Sequence, residues 1–495
     1  MSDLTVGYAS AEITPPLGVA MAGYSDRTTG ATGVNDPLMA QALVLGSGGV
    51  ACALISTDLV GLDEPVATEV RRRSAERSGI PAENVMVCSS HTHWGPTVSP
   101  TWYTTPSVRE TISAQYRRDL VETLAGLVET AREARAPGVA GSGNGFADGI
   151  TFNRRLIGPT GEAAMQYTLP PEQAAVASRE GNRLARAWAR GEHKGPRLSA
   201  PLADLAGDRV GVADGEVVVL RVDGSDGRPM VGLVNFAGHA VCGGGDHHHF
   251  SADYPGWARL GFEALIGAPL LFAAGCSGDQ VPRWRGDGSR ERVGKSLAAE
   301  AARTWLAIEE PRADVPLACA RQVAMLPMNP NIPSVPEAEA KLAAHADPDD
   351  AAANMDQFML QLAKEIANHP DGYPAEIWAM RIGDLGLVAI PGEPFAEIGL
   401  QIKQRSPFAQ TMVVSCANGL SAYMPTDDGY TEGAYEPSFT PSGPGSERVL
   451  VDTGLALLNQ LAQSSTRAAP KATEISPGTP RGTERHALGE SGGMP

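Results

Sequence analysis

Apolar, β-branched runs alternate with amphipathic helical stretches early in the chain, and this alternation restricts the possible folds more than any other feature. The run "VACALISTDLV" is typical of a buried strand, and residues 64–78 after it are typical of a helix. "NVMVCSS" indicates the next strand, and residues 108–135 carry apolar side chains at helical spacing with charges between them. This rhythm predicts an α/β fold in which mixed β-sheets are flanked by helices.

Further elements are predicted along the rest of the chain. The later strands are "EVVVLRVDG", "MVGLVNFAGHAV", "APLLFAAG", "LGLVAIPGEP" and "QTMVVSCANGL", and helices are expected in residues 336–369 and 446–463. Residues 141–214 are rich in Gly, Arg and Pro and weakly periodic, which predicts a long functional excursion. We expect residues 1–464 to form one catalytic domain and residues 465–495 to form a disordered tail.

Composition narrows the class of protein. The formal net charge is −17, which argues against nucleic acid and against an anionic membrane surface as partners. No apolar run approaches the ~20 residues that span a bilayer, and the N-terminus does not resemble a secretion signal. The six cysteines are scattered without a C-x-x-C pair, as in reduced proteins. These features predict a cytoplasmic protein that acts on a small molecule, with its oligomeric state left open.

Two histidines one residue apart follow a predicted strand in "SSHTHWGP". A strand that ends there places His91 and His93 on the same side of the chain at its C-terminal mouth, where ligands of α/β proteins usually bind. A surface histidine pair at a turn is the alternative interpretation.

Three other strand ends carry residues able to bind a metal. His239 follows the strand in "VNFAGHAV", Glu393 follows "LGLVAIPG", and Tyr423 stands in "LSAYMPT". Imidazoles and a carboxylate suit catalytic Zn²⁺, because they leave a position open for water or substrate. Each residue taken alone also has an ordinary structural role: a buried core histidine, a carboxylate at a helix N-terminus, or a packing aromatic.

An ordered series of short motifs resembles the catalytic domain of the neutral/alkaline ceramidase family, which are zinc-dependent amidohydrolases. The match covers roughly residues 6–464, and its shared order and spacing make the joint signal specific. The motifs are "SSHTHWGP", "FNRRL", "NFAGHA", "SADYPG", "GCSGDQVP", "IPGEPF" and "SAYMPT" followed by "YE".

The resemblance implies a role for seven residues. His91, His239, Glu393 and Tyr423 correspond to zinc ligands, with one Zn²⁺ per chain. The other three correspond to active-site groups: His93 to a histidine beside the metal that is not a ligand, Arg154 to an arginine near the substrate carbonyl, and Tyr435 to a tyrosine that stabilises the tetrahedral intermediate.

The chain departs from the family pattern in two ways. Gly275 occupies the position of a serine that is tied to catalysis in the family. The family also carries a secretion signal and a C-terminal β-sandwich domain, and the sequence shows neither. The resemblance therefore supports the family's reaction chemistry more strongly than it supports the family's substrate, a long-chain sphingolipid. We predict metal-assisted hydrolysis of an amide in a polar or short-chain N-acyl substrate.

Alternatives stay open at this point. The same zinc site could open an ester or lactone, or carry out an elimination on a polar metabolite. "GCSGD" resembles a nucleophile elbow, so Ser277 or Cys276 could act without metal, although the final glycine of that motif is replaced by Asp279. A binding protein without activity is a third class, which the ligand set argues against.

Other polar residues near these motifs carry weaker hypotheses. The cluster of His247 to His249 is either a second metal site or an exposed His-rich loop. Asp58, Asp253 and Asp279 either orient the histidines or cap turns.

Overall fold

The computed structural model describes residues 4–99, 111, 114–192, 200, 201, 208–347 and 350–463. The α-helices of these residues are α1 (Glu64–Ser78), α2 (Ala114–Glu133), α3 (Pro171–Ala189), α4 (Asp253–Ile266), α5 (Ser289–Ala307), α6 (Val335–Ala343), α7 (Ala351–Asn368), α8 (Ala396–Arg405), α9 (Asp427–Glu432) and α10 (Ser446–Gln463). Short 3-10 helices cover Ala82–Asn84 and Glu436–Ser438.

The strands lie in two large sheets and several small ones. Their bounds are β1 (Thr5–Glu12), β2 (Gly33–Val34), β3 (Met39–Ser47), β4 (Val50–Thr57), β5 (Val85–Ser89), β6 (Ala136–Phe146), β7 (Thr151–Asn153), β8 (Arg155–Ile157), β9 (Ala163–Met165), β10 (Ala200–Pro201), β11 (Arg209–Val210), β12 (Glu216–Gly224), β13 (Pro229–Phe236), β14 (His249–Phe250), β15 (Leu270–Ala274), β16 (Gln280–Pro282), β17 (Leu317–Leu326), β18 (Tyr373–Ile382), β19 (Leu385–Ala389), β20 (Glu393–Pro394), β21 (Gln410–Val414) and β22 (Tyr423–Met424).

The larger sheet has eight strands in the order β15-β13-β12-β6-β1-β3-β4-β5. Most neighbours are antiparallel, but the outer pairs β13/β15 and β4/β5 are parallel. Its strands are buried on both faces. In β3, Ala42 and Val44 face one apolar cluster while Leu43 and Leu45 face another, as the two-residue period of a strand requires.

The smaller sheet has four strands in the order β17-β18-β19-β21 and packs against one face of the larger sheet. Leu43 and Leu54 of the larger sheet share an apolar cluster with Trp378 and Met412 of the smaller one. Helices α1, α2, α4 and α5 cover the opposite face of the larger sheet, and α8 and α10 cover that of the smaller sheet. The result is a helix–sheet–sheet–helix sandwich, so the predicted α/β class is confirmed.

The expected excursion at residues 141–214 is wrong in part. Strand β6 runs into it and pairs with β12 along its length, and α3 lies inside it. The glycines of β6 hide the strand from pattern analysis, because they weaken strand propensity. Glycine is required at these positions, because a side chain at Gly141 or Gly143 would come within 2.9 Å of Ile308, the residue that follows α5.

The carboxyl ends of the parallel strands meet where the two sheets join, and the candidate residues follow them. The loop after β21 reaches across to the larger sheet: the Ser415 amide donates to Ala274 and the Asn418 amide donates to Val87, each at 2.8 Å. The segments after β5 and β13 are joined by a bridge between Thr92 and Ala240. Crossing contacts of this kind bring distant strand ends to one place.

No helix in the described part of the chain is long and apolar enough to cross a bilayer. The predicted disordered tail at residues 465–495 lies outside the described residues.

Candidate metal centre

His91 begins the loop after β5 and is held in one orientation. Its backbone has φ 62°, a left-handed conformation that is unusual outside glycine. Its Nδ1 lies 2.6 Å from the carbonyl oxygen of Val60. A proton on Nδ1 donates to that carbonyl, which leaves the lone pair of Nε2 free to bind a metal.

His239 repeats this arrangement after β13. Its Nδ1 lies 2.6 Å from the carbonyl oxygen of Ser277, and its own amide donates to the carbonyl of Gln280 at 3.1 Å. The loop between β15 and β16 therefore fixes both the ring and the backbone of His239. Its Nε2 is again the free nitrogen.

Glu393 lies between these two nitrogens. Its Oε2 is 3.2 Å from the Nε2 of His91 and 3.1 Å from the Nε2 of His239. The orientation is not that of a hydrogen bond, since Glu393 Oε2 and His239 Nε2 are both buried without a hydrogen-bond partner in the described chain. Three buried nitrogen and oxygen atoms thus converge on one point, two of them without a hydrogen-bond partner in the described chain, which is the arrangement of metal ligands.

Tyr423 is the direct neighbour of Glu393. Strands β20 and β22 form a two-stranded parallel sheet in which these residues are paired, and the Glu393 amide donates to Ala422 at 2.9 Å. This pairing explains how residues 30 positions apart in sequence reach one site. Glu393 stands before α8 in a strand, so the interpretation as a helix N-terminal carboxylate is wrong.

His93 places a third imidazole at the site. Its Nε2 is 3.3 Å from the Nε2 of His91, and its Nδ1 is buried without a partner among the described residues. The potential ligand atoms of His91, His93 and His239 lie within 4.8 Å of one another. These three histidines form the group of the described chain that is compatible with a metal ion.

The segment before β2 supports His93. Gly23 lies against its ring, and the ring of Tyr24 meets it edge-on at 5.2 Å between centroids. Arg27 donates to the backbone carbonyl of His93 at 2.7 Å. Sequence analysis did not assign these contacts, because nothing in "MAGYSDR" marks it as a neighbour of residue 93.

The pKa values of three of these groups favour the forms that bind a cation. Burial raises the pKa of Glu393, but the imidazoles of His91 and His239 outweigh burial and hold that pKa well below its usual range. Burial, with Arg154 nearby, lowers the pKa of His239 to about 4. Burial and the two neighbouring imidazoles lower the pKa of His93 well below its usual value. The pKa of His91 moves the other way: burial lowers it, but the neighbouring thiol and the Glu393 carboxylate outweigh burial and raise it well above its usual value. A carboxylate and neutral imidazoles are the forms that bind metals, so a metal that binds here displaces a proton from His91.

Arg154 is buried beside the group and has one unused nitrogen. Its Nε donates to Glu436 at 2.8 Å, and Arg155 donates to the other oxygen of the same carboxylate at 2.6 Å. The Nη2 of Arg154 is buried without a hydrogen-bond partner in the described chain. Its guanidinium lies 5.4 Å from the ring centroid of Tyr423. Glu436 thus holds Arg154 while leaving a cationic donor available.

Tyr435 lies at the same edge of the site. Its ring centroid is 5.6 Å from that of Tyr423, and it directly precedes Glu436. The structure therefore brings all seven candidate residues into one region. Glu436 was missed by sequence analysis, although its position next to Tyr435 in "YE" was the available signal.

The three aspartates near the motifs do not orient the histidines, since backbone carbonyls perform that role. Asp58 pairs with Arg259, and Asp253 accepts from the amides of Cys242 and Tyr254. Asp279 accepts from the amide of Ala396 and from the side chain of Asn153. The interpretation of these acids as loop and turn caps fits the structure.

The segment from Gly275 to Ser277 is tightly packed. A Cβ at Gly275 would lie 2.9 Å from the backbone nitrogen of Ala237, so the position has no room for the side chain that the family carries. Cys276 lies in the apolar cluster beneath α8, and burial raises the pKa of its thiol. A buried thiol of raised pKa is a poor nucleophile.

The three consecutive histidines contact different neighbours. The ring of His247 lies 5.0 Å from that of Trp94, His248 contacts Thr29, and His249 contacts Asn35. No metal-binding group of the described residues includes them.

The two-layer sheet sandwich and its buried imidazole–carboxylate group define a protein with the neutral ceramidase fold. The chain is similar to the crystal structure of neutral ceramidase from Pseudomonas aeruginosa, with a TM-score of 0.67 and 18% identity over 97% of this chain and 77% of that chain. It is similar to a structure of ceramidase complexed with C2, with a TM-score of 0.67 and 17% identity over 97% of this chain and 78% of that chain. No family model and no curated protein matches the sequence. The predicted resemblance is confirmed for the fold.

Proposed function

We propose that this protein is a zinc-dependent hydrolase that cleaves the amide bond of a polar or short-chain N-acyl substrate. One observation carries the proposal: the Nε2 atoms of His91 and His239 converge on the Oε2 of Glu393 in a buried site, within 3.2 Å of it. The structural neighbours are ceramidases by name, which is consistent with amide hydrolysis.

The residues at the site fit a zinc ion. His91, His239 and Glu393 would hold it, and Tyr423 would add a phenol oxygen from the strand beside Glu393. Bound zinc supplies Lewis-acid activation of a water molecule, whose pKa falls toward ~7.

The chain's own residues then act on the substrate. The unused Nη2 of Arg154 and the hydroxyl of Tyr435 donate to the carbonyl oxygen as negative charge develops there. His93, which is neutral because its pKa is lowered, takes a proton and passes it to the leaving amine. No covalent acyl-enzyme is needed, because position 275 carries no side chain.

Residues 141–214 contain many arginines, but not all of them can contact a substrate. Arg179 and Arg183 on α3 are exposed and pair with Glu180, so they are a solvated helix face. Arg154 and Arg155 are the buried ones. We expect a polar substrate because the guanidinium of Arg154 lies beside Tyr423 at the site. We expect a reducing compartment because the six cysteines are free.

A chelator and a substrate panel test the proposal. Short N-acyl amides and the matching esters are offered to protein as purified, to chelated protein and to chelated protein with zinc restored. We expect amide turnover that chelation abolishes and zinc restores. Turnover of the esters alone would favour the ester or lactone alternative, and turnover that resists chelation would favour the metal-independent alternative at Ser277 or Cys276.

A further inference from the structure

Arg285 contacts Tyr24, the residue whose ring packs against His93 at the site. One of its terminal nitrogens, Nη2, donates to the carbonyl of Gly243 at 2.6 Å and to the hydroxyl of Tyr24 at 3.3 Å. The ring of Tyr24 in turn lies edge-on to the ring of His93. A single tyrosine ring therefore separates the guanidinium of Arg285 from a candidate catalytic histidine.

The other terminal nitrogen of Arg285 is unused. This Nη1 is buried and has no hydrogen-bond partner among the residues that the structure describes. Within the same residues the guanidinium forms no ion pair with a carboxylate. A buried cationic donor without a partner is costly, and one beside a reaction site indicates that its partner arrives with the ligand.

Tyr167 connects this arginine to Arg154. The guanidinium of Arg285 lies 5.2 Å from the ring centroid of Tyr167, and that of Arg154 lies 5.4 Å from the same centroid. Each arginine keeps one buried nitrogen without a partner in the described chain. Two buried guanidinium N–H donors without a partner in the described chain therefore lie around one ring.

We propose that Arg285 is a specificity-determining residue that binds a carboxylate group of the substrate, while Arg154 faces the scissile carbonyl. The inference rests on the proposed function and names its substrate class: an N-acyl compound with a carboxylate on the acyl half or on the amine half. A guanidinium is suited to this task because its N–H groups match the geometry of a carboxylate.

Matched substrate pairs test the inference. N-Acetylalanine is compared with N-acetylalaninamide, which removes the charge from the amine half. Succinanilic acid is compared with butyranilide, which removes the carboxylate from the acyl half. In at least one pair we expect the wild-type zinc protein to prefer the anionic member by kcat/KM, and the pair that shows the preference identifies the half that carries the carboxylate.

Variants assign the preference to one residue. In Arg285→Gln the ratio of kcat/KM between anionic and neutral members is expected to fall about 10- to 100-fold, mainly through KM. Arg285→Lys should restore part of this preference, since lysine keeps the positive charge but lacks the paired N–H groups of the guanidinium. Arg312→Gln, at an exposed side chain, should leave the ratio unchanged. Equal losses for both members in Arg285→Gln would overturn the inference.

Calorimetry separates this inference from the proposed function. Succinate and succinamide are titrated into the zinc-loaded wild type and into Arg285→Gln. Binding of succinate that is stronger than that of succinamide and is lost in the variant supports the carboxylate site even if no amide is hydrolysed. Amide hydrolysis with no charge preference, or the absence of Arg285-dependent succinate binding, overturns the inference. Neither result bears on the proposed hydrolase activity, which the chelation experiment tests.

Discussion

Each of the two candidate histidine ligands is oriented by a backbone carbonyl. Val60 holds the ring of His91 and Ser277 holds the ring of His239, and both leave Nε2 free. The left-handed backbone of His91 costs ~1–2 kcal/mol relative to ordinary conformations. Such strain persists where surrounding contacts over-determine it, and it is common at functional sites.

Removal of either imidazole should remove the metal. We expect His91→Ala and His239→Ala to lower zinc from about one per chain to a small fraction, and to abolish activity, because a catalytic zinc needs three protein ligands. Elemental analysis after gel filtration measures the zinc. His249→Ala, at an exposed ring, is the control. Stoichiometric zinc in the double variant of His91 and His239 would contradict the assignment.

Loss of either proposed carbonyl donor, Arg154 or Tyr435, should lower the rate and leave the metal in place. Arg154→Ala and Tyr435→Phe are expected to keep zinc and to lower kcat by ~100-fold or more, the usual effect of losing an oxyanion donor. Steady-state kinetics with elemental analysis measures both quantities. If the two variants raise only KM, these residues bind substrate without acting on the transition state.

At the scale of elements, the segment before β2 positions His93. Gly23 has φ 96°, and a Cβ there would collide with the His93 ring. We expect Gly23→Ala to displace that ring and lower kcat ~10-fold or more while zinc is retained, because a 1 Å misplacement at a reacting group has effects of this size or larger.

Gly18→Ala is the matched control for this segment. Gly18 also has a positive φ, 87°, but a Cβ there meets no atom within 4 Å. Backbone strain is therefore common to both variants, and the clash with His93 is specific to Gly23→Ala. Similar kcat values in the two variants would show that the contact with His93 is unimportant, and loss of zinc in Gly23→Ala would make His93 a ligand.

At the scale of the whole molecule, Asp279 ties the sheets together. It accepts from Asn153 beside the larger sheet and from Ala396 at the start of α8, which covers the smaller sheet. Burial raises the pKa of its carboxyl to about 6. The folded state therefore binds a proton more tightly than the unfolded chain does.

This raised pKa predicts a pH-dependent stability. The contribution of Asp279 is fully present below the unfolded pKa of ~4 and is lost as pH rises through about 6. Relative to Asp279→Asn, the wild type should gain about 2 kcal/mol of unfolding free energy between pH 6 and pH 4. Denaturant midpoints of both proteins at several pH values measure the difference. A difference that does not vary with pH would contradict the raised pKa.

The sequence pattern was sufficient to predict a helix or strand wherever its apolar residues recur at a regular spacing. Helices α1 and α10 were predicted at residues 64–78 and 446–463, and β12 was predicted as "EVVVLRVDG", because their apolar spacing is regular. Strand β6 was not predicted. Its glycines weaken strand propensity, and it becomes a strand because β12 pairs with it and α5 packs closely on it.

For the site, the sequence by itself determined the chemistry of the candidate groups and their places at strand ends, since an H-x-H after a strand and a glutamate after Pro-Gly can be read locally. Tertiary structure alone decided that Glu393 lies between His91 and His239 and that two backbone carbonyls determine which histidine nitrogens are free. It also decided that Arg285 keeps one N–H donor without a partner among the described residues. The physical reason is that these contacts join residues tens to hundreds of positions apart, through sheet packing that no local pattern encodes.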